Sequence, residues 1–346
     1  MIPVAESAST AIPADLEREL ELYRRELTGY CYRMLGSPFE AEDAVQETLL
    51  RAWRGYERFE GRSGLRSWLY RIATNVCFDM TAGRARRARP MDLGSAQTPE
   101  AANLNTLAEV AWIEPIPASM VASEDDPEQS AIERDTVRLA FVAALQRLAP
   151  RQRAALLLCE VMHWQAKEVA ELLDTSIAAV NSALQRARAT LQAENANAEQ
   201  AASEDMDAAQ EALLARYVRA FEAYDLDSLT SLIKEDARQS MPPYDMWLSG
   251  REDILAWWFG PGIECRGSKL VPTVSASESF AFGQYKPAPD GSGYEPWALQ
   301  VIEPAAGGIG EMTFFLSTER LFPLFGLPPR LAREDVGEPG EGDQVQ

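Results

Sequence analysis

The sequence predicts a multidomain chain in which two all-α domains precede one α+β domain. Apolar residues recur at three- and four-residue steps in residues 15–82 and again in 131–191, which is the spacing of helices with one buried face. Between these blocks, residues 91–130 are acidic and show no period. After residue 207, one amphipathic segment precedes short alternating or apolar runs set between Gly and Pro turns, which indicates a helix followed by strands. At about 150 residues per domain, 346 residues make two or three domains.

These patterns divide the chain into six parts over which charge is unevenly spread. The parts are a first all-α domain at 15–90, an acidic linker at 91–130, a second all-α domain at 131–192, a polar linker at 193–206, an α+β domain at 207–334 and an acidic tail at 335–346. The net charge is −20, but the acidic linker alone holds eight acidic and no basic residues, and residues 192–346 hold 26 acidic against 11 basic. The net charge of each all-α domain is close to zero and both are rich in arginine. They can therefore still bind a polyanion such as DNA.

Composition narrows the class of protein further. No apolar run approaches the ~20 residues that a membrane span needs, and the N-terminus lacks the basic flank and apolar stretch of a secretory signal. The four cysteines, Cys31, Cys77, Cys159 and Cys265, form no C-x-x-C pair, and His163 is the sole histidine. We therefore expect a reduced, cytoplasmic protein with buried thiols, no membrane association, no metal site and no cofactor.

The first all-α domain is predicted to contain three helices. They span about 16–34, 40–59 and 63–83. In the second helix, Val45, Leu49 and Trp53 form an apolar stripe that is expected to be buried. A polar stripe lies beside it and comprises Asp43, Gln46, Glu47 and Leu50. By composition alone, this second stripe reads as an ordinary solvated helix face.

Aromatic, cationic and amide side chains gather around the start of the third helix. They are Phe59, Arg62, Ser63, Arg66, Arg71 and Asn75. Proteins bind single-stranded DNA with cationic side chains that contact phosphates and with aromatic or amide side chains that contact the exposed bases. Trp68 shares a helix face with Leu65 and Ile72, so it is assigned to the core. Downstream lie Arg84, Arg86, Arg87 and Arg89, which suit either phosphate contact or a plain basic tail.

The second all-α domain contains the most specific local pattern. A short helix at 166–173, the turn Asp174-Thr-Ser176 and a longer helix from Ile177 follow the order of a helix-turn-helix motif. Val180, Leu184, Ala187 and Leu191 are predicted to face inward. The outward residues are Asn181, Ser182, Gln185, Arg186 and Arg188, which suit base edges and phosphates. A solvated face on an ordinary helical bundle is the alternative.

The acidic linker is expected to be mobile. It contains four prolines and has no helical or alternating period. Trp112 and Ile113 are the residues in it that could dock onto a neighbour.

Taken together, these segments resemble a known family. The run at 43–53 reads D-x-V-Q-E-T-x-L-x-A-W, and that at 59–79 reads F-x-G-R-S-x-L-R-S-W-L-Y-R-I-A-T-N-x-x-x-D. They resemble region 2 of bacterial sigma factors of the extracytoplasmic function (ECF) group of the sigma-70 family. Residues 148–153 and 168–188 are similar to region 4 of the same family.

The resemblance implies a role for each of three surfaces. Asp43, Gln46, Glu47 and Leu50 would bind the β′ clamp helices of core RNA polymerase, and region 4 would meet the β flap. Promoter melting and capture of the −10 element would involve Phe59, Arg62, Ser63, Arg66, Arg71, Asn75 and Asp79. The −35 element would be read by Ser176, Asn181, Ser182, Gln185, Arg186 and Arg188.

Residues 207–334 resemble the SnoaL-like polyketide-cyclase domain, a cone-shaped α+β fold. The resemblance is carried by residues 217–229, 241–251 and 313–316. Enzymes of this type use an acid/base pair, often with histidine, but here only Asp245 or Glu252 would be available. The aromatic residues Tyr244, Trp247, Trp257, Trp258 and Phe259 either line a ligand cavity or form the core.

The sequence thus predicts a non-enzymatic transcription initiation factor whose partners are core RNA polymerase and promoter DNA. The C-terminal domain would regulate it, through a small molecule or within the chain, either by blocking binding or by bracing the two sigma regions in an active spacing; bracing is favoured, because the aromatic residues and residues 322–331 offer apolar docking surface. One alternative is a stand-alone helix-turn-helix regulator, which leaves the 43–53 stripe without a role. Another is a small-molecule cyclase fused to a DNA-binding module, against which the absence of histidine from residues 207–346 counts.

Overall fold

The computed structural model describes residues 14–59, 64–101, 104–106, 112–121, 136–195, 207–275 and 279–333. The first four helices, here called the front bundle, are α1 (Ala14–Glu21), α2 (Arg24–Leu35), α3 (Pro38–Gly55) and α4 (Leu65–Thr81). The one helix predicted over 16–34 is in fact two, broken at Leu22 and Tyr23. Because Leu16, Leu20 and Leu27 all enter one core, apolar spacing does not reveal the break.

Local sequence explains the boundary between α2 and α3. Gly36 has a φ of +76°, a left-handed conformation that glycine adopts without strain, and its N–H donates to the Tyr32 carbonyl at 2.7 Å. Pro38 then occupies the first turn of α3, where its missing N–H leaves no helical bond unmade. The two helices therefore pack as an antiparallel pair, and α4 closes the bundle.

Four helices, here called the second bundle, follow the acidic linker. They are α6 (Leu139–Gln146), α7 (Pro150–Leu156), α8 (Ala166–Leu172) and α9 (Ile177–Asn195), and a π turn at Leu157–Val161 extends α7. The turn between α8 and α9 places Asp174 at a φ of +49°. The Ser176 hydroxyl accepts a hydrogen bond from the Ala179 N–H at 3.1 Å, which caps α9.

The C-terminal domain combines helices with one six-stranded sheet. Its elements are α10 (Asp207–Ala223), α11 (Leu226–Leu232), β1 (Ile233–Ser240), β2 (Trp247–Ser249), α12 (Arg251–Phe259), β3 (Lys269–Val274), β4 (Phe280–Pro287), β5 (Tyr294–Ala305), β6 (Gly308–Phe315) and α13 (Thr318–Leu324). The strand order is β2-β1-β6-β5-β4-β3, and the β1–β6 pair is parallel while the others are antiparallel. This is the predicted SnoaL-like α+β architecture.

Residues 112–117 of the acidic linker are buried, which corrects the expectation of a mobile linker there, whereas residues 93–96 are exposed. A short helix, α5 (Ala118–Val121), ends the segment. Trp112 and Ile113 dock in buried positions, as the sequence allowed. Gly94 accepts a hydrogen bond from the Trp247 indole at 2.9 Å, so the linker also crosses the C-terminal domain. Burial of these apolar side chains outweighs the polar composition of the segment.

One apolar core runs through both bundles and the outer face of the sheet. Leu27 and Leu69 of the front bundle, Leu145 of the second bundle, and Val301 and Phe315 of the sheet belong to the same buried cluster. The inner face of the sheet has a separate core beneath α10 and α12.

A buried guanidinium adds polar contacts to the joint between the two bundles. Arg153 of α7 donates to the Leu145 carbonyl at 2.8 Å and to Gln146 Oε1 at 2.7 Å, and it also bonds the Met34 carbonyl at the end of α2. Burial lowers the pKa of Arg153 to about 10, although the nearby Cys77 and Tyr30 oppose that shift. The two bundles therefore meet through a satisfied polar contact as well as through apolar packing.

Candidate functional site

The polar stripe on α3, here called the α3 surface, faces solvent. Asp43 and Gln46 are exposed, Leu50 is 41% exposed, and Glu47 is half-buried beside Arg51, whose Nε lies 2.7 Å from Glu47 Oε1. Among the described residues, neither Asp43 nor Gln46 makes a side-chain hydrogen bond or ion pair. These four residues thus form one exposed patch that is free to meet a partner.

Trp53 belongs to this exposed side, so its predicted burial is wrong. Its side chain is 45% exposed. Trp53 lies seven residues, or about two helical turns, after Gln46, which places both on nearly the same side of α3. Val45 and Ala52, by contrast, are fully buried. The angular position of Trp53 on α3, at 3.6 residues per turn, predicts its exposure, whereas its apolar character does not.

The residues assigned to −10 contact form a second surface along α4, here called the α4 surface. Phe59 stacks on Trp68, with ring centroids 4.7 Å apart and planes inclined by 26°. Asn75 is exposed, and Asp79 is exposed beside Arg51, with 3.2 Å between Oδ2 and Nη1. Arg62 and Ser63 lie outside the described residues. Trp68 is half-buried against the core, which agrees with its assignment.

Two arginines of the α4 surface contact the second bundle although both remain exposed. Arg71 Nη2 donates to the Glu171 carbonyl of α8 at 2.9 Å. Arg66 forms an ion pair with Glu26, with 2.7 Å between Nε and Oε1, and its guanidinium carbon lies 5.6 Å from the ring centroid of Trp164. We call this arrangement, in which the two bundles are in contact, the closed arrangement. In it, both guanidinium groups interact with other groups of the protein.

The third surface is the outward side of α9, here called the α9 surface. Val180 and Ala187 are buried as predicted, with Leu184 between them. Six polar residues are exposed, namely Ser176, Asn181, Ser182, Gln185, Arg186 and Arg188. Of these, Arg188 pairs with Glu160. The α9 surface is thus the polar face of a helix that packs on α7 and α8, which is the arrangement of a helix that enters the major groove of DNA.

The arginines after α4 are built into the fold rather than left as a tail. Arg84 and Arg87 pair with Glu40 of α3. Arg87 is buried and also lies 3.8 Å from Glu114 of the linker. Arg89 pairs with Asp92 at 3.3 Å and with Glu311 of β6 at 3.5 Å. Arg84 and Arg86 are exposed, whereas Arg89 is half-buried.

The aromatic residues considered as the lining of a cavity in the C-terminal domain belong largely to its core. Trp257 and Trp258 are buried, and the Trp258 indole donates to Gln239 Oε1 at 2.7 Å. Tyr244, Trp247 and Phe259 are half-buried. A groove of about 360 Å³ lies elsewhere, between α10 and α11, and is lined by Arg216, Arg219, Ala220, Ala223, Asp225, Ser228 and Leu232.

The two candidate acid/base residues have no histidine partner. Asp245 is half-buried near the linker, and its backbone N–H donates to the Asn105 carbonyl at 3.0 Å. Glu252 is exposed on α12. Within the described ranges, no cluster of three His, Cys, Asp or Glu residues could hold a metal ion, and no helix is long and apolar enough to cross a membrane.

Comparisons with known proteins agree with this arrangement. The chain matches the family model described as Sigma-70 region 2 over residues 20–87 and that described as Sigma-70, region 4 over residues 138–191. It is 44% identical over 320 residues to the ECF RNA polymerase sigma factor SigG of Mycobacterium tuberculosis, which covers 92% of this chain and 85% of that protein. It is 31% identical over 219 residues to the ECF RNA polymerase sigma factor SigJ of the same organism, which covers 63% and 62%.

A solved structure has a similar fold over most of the chain. The crystal structure of the Mycobacterium tuberculosis extracytoplasmic function sigma factor SigJ aligns with a TM-score of 0.57 and 21% sequence identity, covering 90% of this chain and 100% of that chain. At this identity the likeness concerns the fold, including the C-terminal helix-and-sheet domain. The extent and identity of the match to SigG carry the assignment. The chain belongs to the ECF RNA polymerase sigma factors, which are non-enzymatic initiation factors that direct core RNA polymerase to promoters.

Proposed function

We propose that each of the three surfaces has its own target during initiation. The α3 surface binds the β′ clamp helices of core RNA polymerase, the α4 surface captures the −10 strand, and the α9 surface reads the −35 element, while the second bundle meets the β flap. The resemblance of these segments to sigma regions 2 and 4 supports the assignment. Exposure of the α3 and α9 surfaces supports it further, because both are open to a partner in the closed arrangement.

The two bundles must separate before both DNA elements can be contacted. By their positions the elements lie about 25 base pairs apart, which at about 3.4 Å per pair is about 85 Å. A compact chain of this length has a radius of gyration of about 20 Å and hence a diameter of about 50 Å. Bundles that touch at Arg71 and Glu171 cannot span that distance. This contact is the single observation that carries the proposed closed-to-open step.

The C-terminal domain acts as the regulator within the chain by holding the bundles closed. Arg320 of α13 lies 3.7 Å from Glu114 of the linker and 4.1 Å from the Phe39 ring centroid of α3. Arg89, in the segment after α4, forms an ion pair with Glu311 of β6. These contacts tie the C-terminal domain to the front half of the chain, and in place of the brace that the sequence favours we propose that they restrain the closed arrangement. The site of action is the cytoplasm, where the polymerase works.

Transcription in vitro with purified core polymerase tests the proposal. The full chain should yield promoter-specific transcripts, and deletion of residues 207–346 should raise the rate of open-complex formation at a fixed promoter by more than tenfold. Because the deletion also uncovers part of the shared core, Arg320→Gln serves as a milder variant that keeps the domain and loosens its contact with the linker. Absence of promoter-specific transcripts would refute the sigma assignment, and unchanged rates for both variants would refute regulation by the domain.

A further inference from the structure

Two carboxylates face each other on the outer side of the sheet. Glu303 of β5 and Glu311 of β6 are directly paired in the strand register, and Arg238 of β1 is the next partner of Glu311. The same row continues with the buried pair of Leu299 and Phe315. Like charges placed directly opposite on a sheet are unfavourable, so this pair needs compensation from outside the sheet.

That compensation comes from the segment after α4, the acidic linker, the second bundle with the residue Arg138 before it, and strand β1. Arg89, from the segment after α4, lies 3.5 Å from Glu311 Oε1, and Arg238 lies 3.9 Å from Glu311 Oε2. Arg89 also bonds Asp92 of the linker, which accepts from Arg147 of the second bundle at 2.9 Å. Arg138, which precedes α6, acts on Glu303 through space. We call this set the junction cluster; its members are Arg89, Asp92, Arg138, Arg147, Arg238, Glu303 and Glu311.

The acids of the junction cluster differ in their electrostatic balance. Burial opposes ionisation of Asp92, but Arg89 and Arg147 outweigh it and lower its pKa. Glu311 forms two ion pairs. Glu303 forms none among the described residues. Burial, followed by the charge of Glu311, raises the pKa of Glu303 to about 7, although Arg138, Arg89 and Arg238 act in the opposite direction.

We propose that Glu303, opposite the Glu311 carboxylate, carries a proton while the C-terminal domain is docked on the bundles, and that undocking releases this proton, so that the junction cluster is a pH-sensitive switch. Protons balance in this step, because the closed, protonated form is converted into the open form and one free proton. The sole histidine, His163, is exposed in the loop before α8 and is not a member of the junction cluster.

The direction of the effect follows from which form binds the proton more tightly. A carboxyl whose pKa is raised by docking favours the docked state while it is protonated, and this advantage is lost as the pH rises through about 7. If undocking returns Glu303 to its ordinary pKa of 4.5, the closed-to-open ratio falls about tenfold between about pH 6 and pH 8. Closure is therefore strongest on the acid side of neutrality.

The test measures closure of the full chain by energy transfer between dyes at two exposed positions, Glu57 in the front bundle and Ala256 in the C-terminal domain. In the wild type, the closed-to-open ratio should fall about tenfold from about pH 6 to pH 8. Glu303→Gln, which keeps the shape and removes the titration, should give a flat profile. Glu295→Gln is the matched control, because Glu295 lies on the same strand but pairs with Arg330 at the surface. It should behave as the wild type does.

A second measurement keeps the proposal testable if Glu303→Gln does not fold. In a chain labelled with carboxyl-¹³C glutamate, NMR should show one glutamate that titrates near pH 7, and its signal should be absent from a folded Glu303→Gln chain. The proposal is overturned if no glutamate titrates between about pH 6 and pH 8. It is also overturned if wild-type closure is independent of pH, or if Glu303→Gln keeps the wild-type profile. Neither readout needs polymerase, so the result is independent of the promoter-binding proposal.

Discussion

Trp164 of the second bundle is the side chain whose removal should most directly open the closed arrangement. Its ring packs on Tyr70 of α4, with centroids 5.1 Å apart and planes at 57°, and it carries the Arg66 guanidinium 5.6 Å from its centroid. An aromatic pair of this kind contributes about 0.5–1.5 kcal/mol, and a partly exposed cation–π contact about 0.5–1 kcal/mol. Trp164→Ala should therefore weaken closure by about 1–2.5 kcal/mol.

That loss converts into a measurable shift. Since about 1.4 kcal/mol is tenfold in an equilibrium constant, the open-to-closed ratio should rise about 5- to 60-fold. Small-angle X-ray scattering should report a larger mean radius of gyration, and stopped-flow fluorescence should report faster open-complex formation at a fixed promoter. Both changes have the same cause, because separation of the bundles extends the chain and also breaks the contact of Arg71 with Glu171, which leaves the Arg71 guanidinium available for DNA.

Trp297→Ala is the matched control for this substitution. Trp297 is a partly exposed tryptophan of the C-terminal domain, and its ring carries the Lys286 ammonium 3.8 Å from the centroid. It belongs to neither bundle, so its loss should change neither the scattering profile nor the rate. If Trp164→Ala leaves both readouts at wild-type values, or expands the chain while slowing open-complex formation, then this contact does not restrain initiation.

Two further predictions concern the surfaces that stay exposed. Replacing both Asp43 and Gln46 by Ala should weaken co-purification with core polymerase while shifting stability by only ~0.5 kcal/mol, since neither side chain is buried; recovery of the wild-type amount of polymerase would contradict the assignment. Gln185→Ala should relax preference at one −35 base pair by about 1–3 kcal/mol, whereas Arg188→Ala should weaken binding to all sequences alike. Binding measured over a set of single-base promoter variants separates these outcomes, and a uniform loss from Gln185→Ala would remove it from the base-reading set.

The sequence predicts the helical bundles well because each helix has its own apolar period. The α9 surface follows from that period, since the buried stripe of Val180 and Ala187 fixes which residues face outward. Trp53 shows the limit of the method. A large apolar residue is assigned to the core by its chemistry, yet its angle on α3 places it with Gln46 on the exposed side.

Strand β1 and the contacts between bundles could not be predicted for a different reason. Residues 233–240 read I-K-E-D-A-R-Q-S, which is too polar to indicate a strand, yet they pair with both β2 and β6. Gln239 is buried there because the Trp258 indole donates to it. The bond from Arg71 to the Glu171 carbonyl joins residues 100 positions apart, and no local pattern records such a pairing.

The continuous apolar core makes the free protein prone to aggregation whenever the bundles separate. Separation of the bundles bares side chains such as Leu145 and Phe315, which lie in one cluster while the chain is closed. Freshly bared apolar surface promotes aggregation unless a partner covers it. By mass action, a polymerase that binds only the open form would both draw the chain open and shield it. Opening in the absence of polymerase would thus lead to aggregation. The closed arrangement therefore protects the unbound factor as well as restraining it.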